Sequence, residues 1–236
     1  MERPSRLNCK VMPFPELGAR IADVRSRIQL AVTRGGYGQT VMIVAVTKTH
    51  GPEAVMAAWE AGLADVGENR VQEAIAKMPQ VTVPVRWHLI GHLQRNKVKS
   101  LGRFAMFHAL DSARLADAVN SFGLDAEPVD VLVQVNAARE TTKGGFSIEE
   151  LPGESARLAT MKGMKVHGVM TMARLDADER ELRETFSAAR GARDGLLSAG
   201  HPATELSMGM SGDYEIAVEE GATIVRLGTV LFGARE

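Results

Sequence analysis

The sequence predicts an α/β fold: a single (β/α)8 barrel of the TIM type preceded by one extra helix. Three observations carry this expectation. Eight short apolar runs alternate with helical patterns along the chain. Several of those runs, notably 41–46 and 129–135, contain near-continuous apolar stretches, as expected of parallel strands covered on the outside by helices. No linker rich in Pro, Gly or Ser divides the chain into halves. A doubly wound open sheet is the competing architecture.

In chain order, residues 1–14 read as a tail and 15–236 as the barrel domain. Leu17, Ile21, Val24, Ile28 and Ala31 recur at spacings of three and four, the period of an amphipathic helix, which stops at Gly35-Gly36. Strands are expected over 41–48, 64–69, 86–91, 104–111, 128–136, 164–172, 204–209 and 222–228. Helical patterns fill the intervals at 52–62, 69–78, 112–123 and 176–199. After the third strand the sequence LQRNKVKSLG is short and basic, the weakest helical signal of the set.

The chain has 236 residues, 28 basic against 29 acidic, for a net charge of −1. An overall neutral chain has no general attraction for nucleic acid or anionic membranes, so neither is expected as a partner. With 45% apolar and 24% charged residues the composition is that of a globular protein with one substantial core. Cys9 is the only cysteine, so no intrachain disulfide is available and a reducing cytoplasm is the expected setting. Charged residues interrupt the first thirty positions, which argues against a signal-peptide core, and no apolar run approaches the roughly 20 residues of a membrane span.

In a parallel barrel the C-terminal strand ends share one face, and that face carries the chemistry. There the sequence places Lys48, Glu68, Asn69, His88, His92, Asp111, Asn136, Thr171, Ser207, Ser211, Arg226, Gly228 and Thr229. Lys48 closes an apolar strand, where desolvation favours the neutral, nucleophilic amine. It reads as a Schiff-base lysine, toward either a carbonyl substrate or pyridoxal phosphate, against the alternative of a lysine snorkelling to solvent. SMGMSGD at 207–213 and RLGT at 226–229 put glycines and hydroxyls after the seventh and eighth strands, where barrels often hold phosphate; Ser211 and Thr229 are the candidate donors. Tight-turn glycines are the plainer reading of either loop alone. His88 and His92 are four apart but lack the H-E-x-x-H context, so no metal site is expected. Residues 94–99 read as a solvated helix face or a small anion-binding patch. The polar loop 136–146, with Lys143, either closes over the site or is a surface loop.

In order along the chain, VAVTK, GENRVQEA, WHLIGHLQRNKVK, NAARETTKGGF, SMGMSGD and RLGTVLFGAR resemble the pyridoxal phosphate homeostasis protein family, from about residue 16 to 235. That family looks like the barrel domain of alanine racemase without its second, β-rich domain. The resemblance implies that Lys48 forms an internal aldimine with pyridoxal 5'-phosphate and that Ser211, Gly228 and Thr229 hold the phosphate. By the same similarity Arg226 faces the pyridine nitrogen, and Asn69 and His88 match motifs of the rim without a firm role. Arg70 stands where an aromatic residue is expected, and Gly212 where an acidic one is usual.

A cation beside the pyridine nitrogen disfavours its protonation and weakens the ring as an electron sink. The only tyrosines, Tyr37 and Tyr214, are not obvious second proton carriers. The expected function is therefore storage, buffering or delivery of the cofactor to apoenzymes in vitamin B6 homeostasis, by a monomer without robust turnover. The alternative is a racemase or lyase using the same lysine.

Overall fold

The computed structural model describes residues 14–140 and 144–233. Eight strands form a closed, all-parallel barrel in sequential order: β1 (Met42–Val46), β2 (Asp65–Glu68), β3 (Arg86–Leu89), β4 (Met106–Leu110), β5 (Val129–Gln134), β6 (Met164–Met170), β7 (Glu205–Ser207) and β8 (Ile224–Leu227). The barrel expected from the alternating pattern is present, and the open sheet is excluded by the pairing of β8 with β1. That seam runs in register from Met42 opposite Ile224 to Ala45 opposite Leu227.

The extra helix, α1 (Leu17–Gly35), buries the five apolar residues whose spacing announced it, and Gly36 ends it in a left-handed conformation at φ 74°. It packs along α7 (Tyr214–Glu219), with Arg27 on Glu215 and Arg34 on Glu219 across the contact. Of the tail, only Phe14 lies among the described residues; its ring meets His50 and Phe232 edge-on at 5.5 and 5.2 Å. The remaining helices are α2 (Pro52–Glu60), α3 (Val71–Lys77), α4 (Ala113–Asp125), α5 (Leu151–Ala159), α6 (Glu179–Ser198) and α8 (Thr229–Phe232). Helix α6 starts at a capping box: Asp178 accepts from the Glu181 N–H while the Glu181 side chain accepts from the Asp178 N–H.

The basic segment after β3 is a 3-10 helix, Arg95–Arg103. Its buried residues, Val98 and Leu101, are three apart and Phe104 follows at the same interval, so the apolar row matches three residues per turn and not 3.6. The polar residues of 94–99 lie mostly on its outer side.

Strand β6 carries one extra residue against β5: Val131 faces Val166, but Leu132 faces Gly168, so His167 bulges. Gly168 takes φ +155°, and a Cβ there would stand 1.9 Å from the Glu205 carbonyl oxygen. Only glycine lets β7 approach. Gly168→Ala is therefore expected to destabilise the fold by about 2–4 kcal/mol in chemical denaturation; a loss below about 0.5 kcal/mol would show that β7 can move aside.

Candidate active-site cavity

At the C-terminal ends of the strands a cavity of about 860 Å³ opens, a volume in the range of small-molecule sites. Lys48, Asn69, His92, Asp111, Ser211, Arg226, Gly228 and Thr229 all line it. Sequence reasoning had these residues on one rim, and the barrel brings them to one cavity. Of the other residues expected on that rim, Glu68, Asn136, Thr171 and Ser207 are not among the lining residues, and neither is His88. Its side chain is buried in the barrel interior, bonded to Asp65 and His108. His88 and His92 are thus on different sides of the strand end, and among the described residues no group of three or more His, Cys, Asp or Glu could hold a metal ion.

Lys48 stands in the turn that follows β1, half-buried, one residue after the fully buried Thr47. Three contacts brace this turn. The Thr49 N–H donates to Glu73 Oε1 at 2.7 Å with Thr49 held at φ 70°, an unfavourable conformation for a β-branched residue. Lys77 Nζ donates to the Thr47 carbonyl at 3.0 Å. Glu68 accepts from both Thr47 Oγ1, at 2.7 Å, and Lys77. Lys77 is a second buried lysine, but its ammonium is committed to Glu68 and the Thr47 carbonyl. Of this brace only Glu68 is legible at a strand end; Lys77, at the end of a short helix, reads as a favourable C-terminal charge.

The phosphate-type loops meet. Ser211 Oγ accepts from the Val230 N–H at 3.2 Å, which joins the loop after β7 to the start of α8. Gly209, at φ +94°, lets the first loop fold back; a Cβ there would lie 2.7 Å from the Ala217 Cβ. Gly212 has open space around it, and the acidic residue of this loop is the next one, Asp213, whose carboxylate caps the Met210 N–H at 2.5 Å. Arg70, the other departure, is an exposed residue at the start of α3. The loop 136–146 returns to the cavity: Gln134 Nε2 donates to the Gly144 carbonyl at 2.7 Å, Phe146 bridges to Val135, and Gly144 is part of the lining. Lys143 lies outside the described residues.

Arg226 is buried in the cavity wall. One terminal nitrogen donates to the Ser207 hydroxyl and carbonyl, each at 2.7 Å, and the other to the Thr171 carbonyl at 2.9 Å. Burial lowers its pKa to about 10, partly offset by the charge of Asp213, so the guanidinium remains a cation at neutral pH. His92, which sequence reasoning considered only as a metal ligand, bonds through Nδ1 to Asp111 Oδ2 at 2.7 Å. This oriented imidazole lines the cavity, whereas neither Tyr37 nor Tyr214 does. Its signal in the sequence was two strand-end polar residues, but only the pairing of adjacent strands brings them together.

Residues 21–236 match the family model described as alanine racemase, N-terminal domain. A pyridoxal phosphate homeostasis protein from Aquifex aeolicus is 40% identical over 222 residues, which cover 92% of this chain and 97% of the relative. The chain belongs to the pyridoxal phosphate homeostasis protein family. Among solved structures, PipY of Synechococcus elongatus, solved with PLP bound, superposes with a TM-score of 0.81 at 33% identity, covering 92% of this chain and all of PipY. Alanine racemase from Corynebacterium glutamicum shares the fold at a TM-score of 0.71 and 16% identity, and this chain covers 61% of it. Among the described residues no helix is long and apolar enough to cross a membrane.

Burial opposes ionisation of Asp65, at the start of β2, but hydrogen bonds from His88 and Arg86 and the charge of Arg86 hold its pKa at about 2. Because the folded value lies below the ordinary 3.8, its stabilisation is complete above about pH 4 and is lost as the pH falls toward 2. Wild-type protein should lose about 2 kcal/mol more than Asp65→Asn across that interval. Urea denaturation at several pH values measures it; parallel stability curves for the two proteins would contradict the assignment.

Proposed function

We propose that this protein binds pyridoxal 5'-phosphate, holds it covalently through Lys48 as a Schiff base, and serves its storage, buffering or delivery in the cytoplasm without robust turnover. The observation that carries this reading is the donor set of a single cavity: a lysine amine, the paired hydroxyl and glycine loops at Ser211 and Thr229, and the Arg226 guanidinium. These match, in kind, the aldehyde, phosphate and ring nitrogen of the cofactor. When bound, the cofactor supplies an aldehyde that captures amines and a ring that can accept electrons.

The chain's own residues then divide the work. Lys48 provides the amine, on a turn braced by Lys77, Glu68 and Glu73. Ser211 and Thr229 donate to phosphate oxygens, with Gly228 giving the backbone close access. Asn69 borders the same cavity beside Lys48. Arg226, a donor with no acceptor, meets an unprotonated ring nitrogen and so favours holding over carbanion chemistry. His88, deep in the barrel, acts on the site only through its neighbours.

Visible absorbance and borohydride trapping test this reading. The purified protein loaded with pyridoxal phosphate should be yellow, and after reduction mass spectrometry should find the adduct on Lys48 alone. An adduct on Lys77 or Lys143 would refute the assignment of the amine.

Enzyme chemistry is tested separately, because His92 with Asp111 supplies a proton carrier that a racemase or lyase would need. With alanine in deuterium oxide, followed by NMR, exchange of the α-proton should be far below ordinary enzyme rates of about 1 to 10³ per second. Exchange within that range, abolished by His92→Gln, would replace the carrier reading with an enzyme one.

A further inference from the structure

A continuous chain of hydrogen bonds runs through the barrel interior from its N-terminal mouth to the cavity. Asp65 Oδ1 meets His88 Nε2 at 2.9 Å, His88 Nδ1 meets His108 Nε2 at 2.9 Å, and His108 Nδ1 meets Ser207 Oγ at 2.9 Å. Ser207 Oγ in turn accepts from Arg226 at 2.7 Å. At the mouth, Arg86 grips the Asp65 carboxylate with two hydrogen bonds, of 2.7 and 2.6 Å, and the Arg86 side chain is largely exposed. All five members of the chain are at most 6% exposed, so solvent is not available as an alternative partner.

The chemistry of the two ends fixes the direction of every bond between them. A guanidinium only donates and a carboxylate only accepts. Burial, with the charge of Arg226, pushes the His108 imidazole well below its ordinary range. Between two neutral imidazoles, one arrangement satisfies all four contacts. His88 Nε2–H donates to Asp65, which leaves Nδ1 bare; His108 Nε2–H must then donate to it; the bare His108 Nδ1 must accept the Ser207 hydroxyl; and Ser207 Oγ is left to accept from Arg226. Reversing any bond leaves two donors or two bare acceptors facing each other in a dry interior, where an unsatisfied polar group is costly.

We infer that Asp65, His88, His108 and Ser207 are positioning residues for Arg226: a one-way relay through the barrel orients the guanidinium in the cavity wall, so a change at the N-terminal mouth is felt at the ring nitrogen of the bound cofactor. The inference rests on the cofactor reading above for its last contact and on this chain alone for the rest. It gives His88, which does not reach the cavity, a role through His108, Ser207 and Arg226. It also gives a reason for the two buried imidazoles inside the barrel.

Two measurements test it. In wild-type protein without cofactor, NMR of nitrogen-15-labelled histidine should show both His88 and His108 neutral at pH 7, each protonated at Nε2 and bare at Nδ1. Either ring found protonated at Nδ1 overturns the relay, and no variant is needed to learn this. The second measurement uses pyridoxal phosphate labelled with nitrogen-15 in its ring. Asn can donate as well as accept, so Asp65→Asn should release the direction of the chain, populate both histidine tautomers and shift the ring-nitrogen resonance of the bound cofactor. Asp130→Asn, which breaks a comparable contact with His167 at 2.8 Å apart from the relay, should leave that resonance in place. An unchanged resonance in Asp65→Asn, or an equal shift in Asp130→Asn, overturns the coupling. Failure of wild-type protein to take up the labelled cofactor would instead refute the cofactor reading, while the histidine tautomers would still decide whether the relay exists.

Discussion

The seam between β1 and β8 is the constraint on which the site depends. Closing eight parallel strands forces the last to pair with the first, and the register sets Arg226 opposite Val44. Lys48 follows in the turn just beyond the same strand. An amine and a guanidinium from opposite ends of the sequence thereby border one cavity, with the glycine and hydroxyl residues of the β8 exit beside them. An open sheet of the same strands would leave β1 and β8 unpaired, and the cavity would not exist.

Closure also creates an interior that must be filled, and here it is filled in part by polar groups. Five of them, from Asp65 to Arg226, are partnered along one path. Arg226 ends one path at the cavity, and the Asp65–Arg86 pair ends it at the other mouth. Lys77 and Glu68 form a second polar cluster beneath the Lys48 turn. Removing one member of such a buried network leaves its neighbours unsatisfied in a low-dielectric setting, which is more damaging than the loss of one bond in water. The polar interior therefore makes the positions of Lys48 and Arg226 interdependent with residues that never touch a ligand. Aliphatic packing could fill the same volume but could not orient a guanidinium.

The strand order, the extra helix and the rim residues were legible because each rests on a local signal: near-continuous apolar runs for buried parallel strands, a three-to-four spacing for α1, and glycine with hydroxyl at strand ends. The segment after β3 was only half legible, since an apolar row at intervals of three satisfies a short helix of either kind until the packing selects one. His88 was misplaced on the rim for a related reason. A strand-end histidine can point up to the cavity or inward, and which it does depends on the neighbouring strand supplying His108 as a partner.

Composition, period and motif order by themselves determined the architecture, the family resemblance and the candidate residues of the rim, because these follow from local chemistry repeated along the chain. The tertiary structure alone decided which polar residues meet. The Lys77 brace, the His92–Asp111 pair and the path from Asp65 to Arg226 each join strands or helices whose pairing no single segment encodes. Hydrogen-bond direction is set by partners, and partners exist only after the barrel has closed.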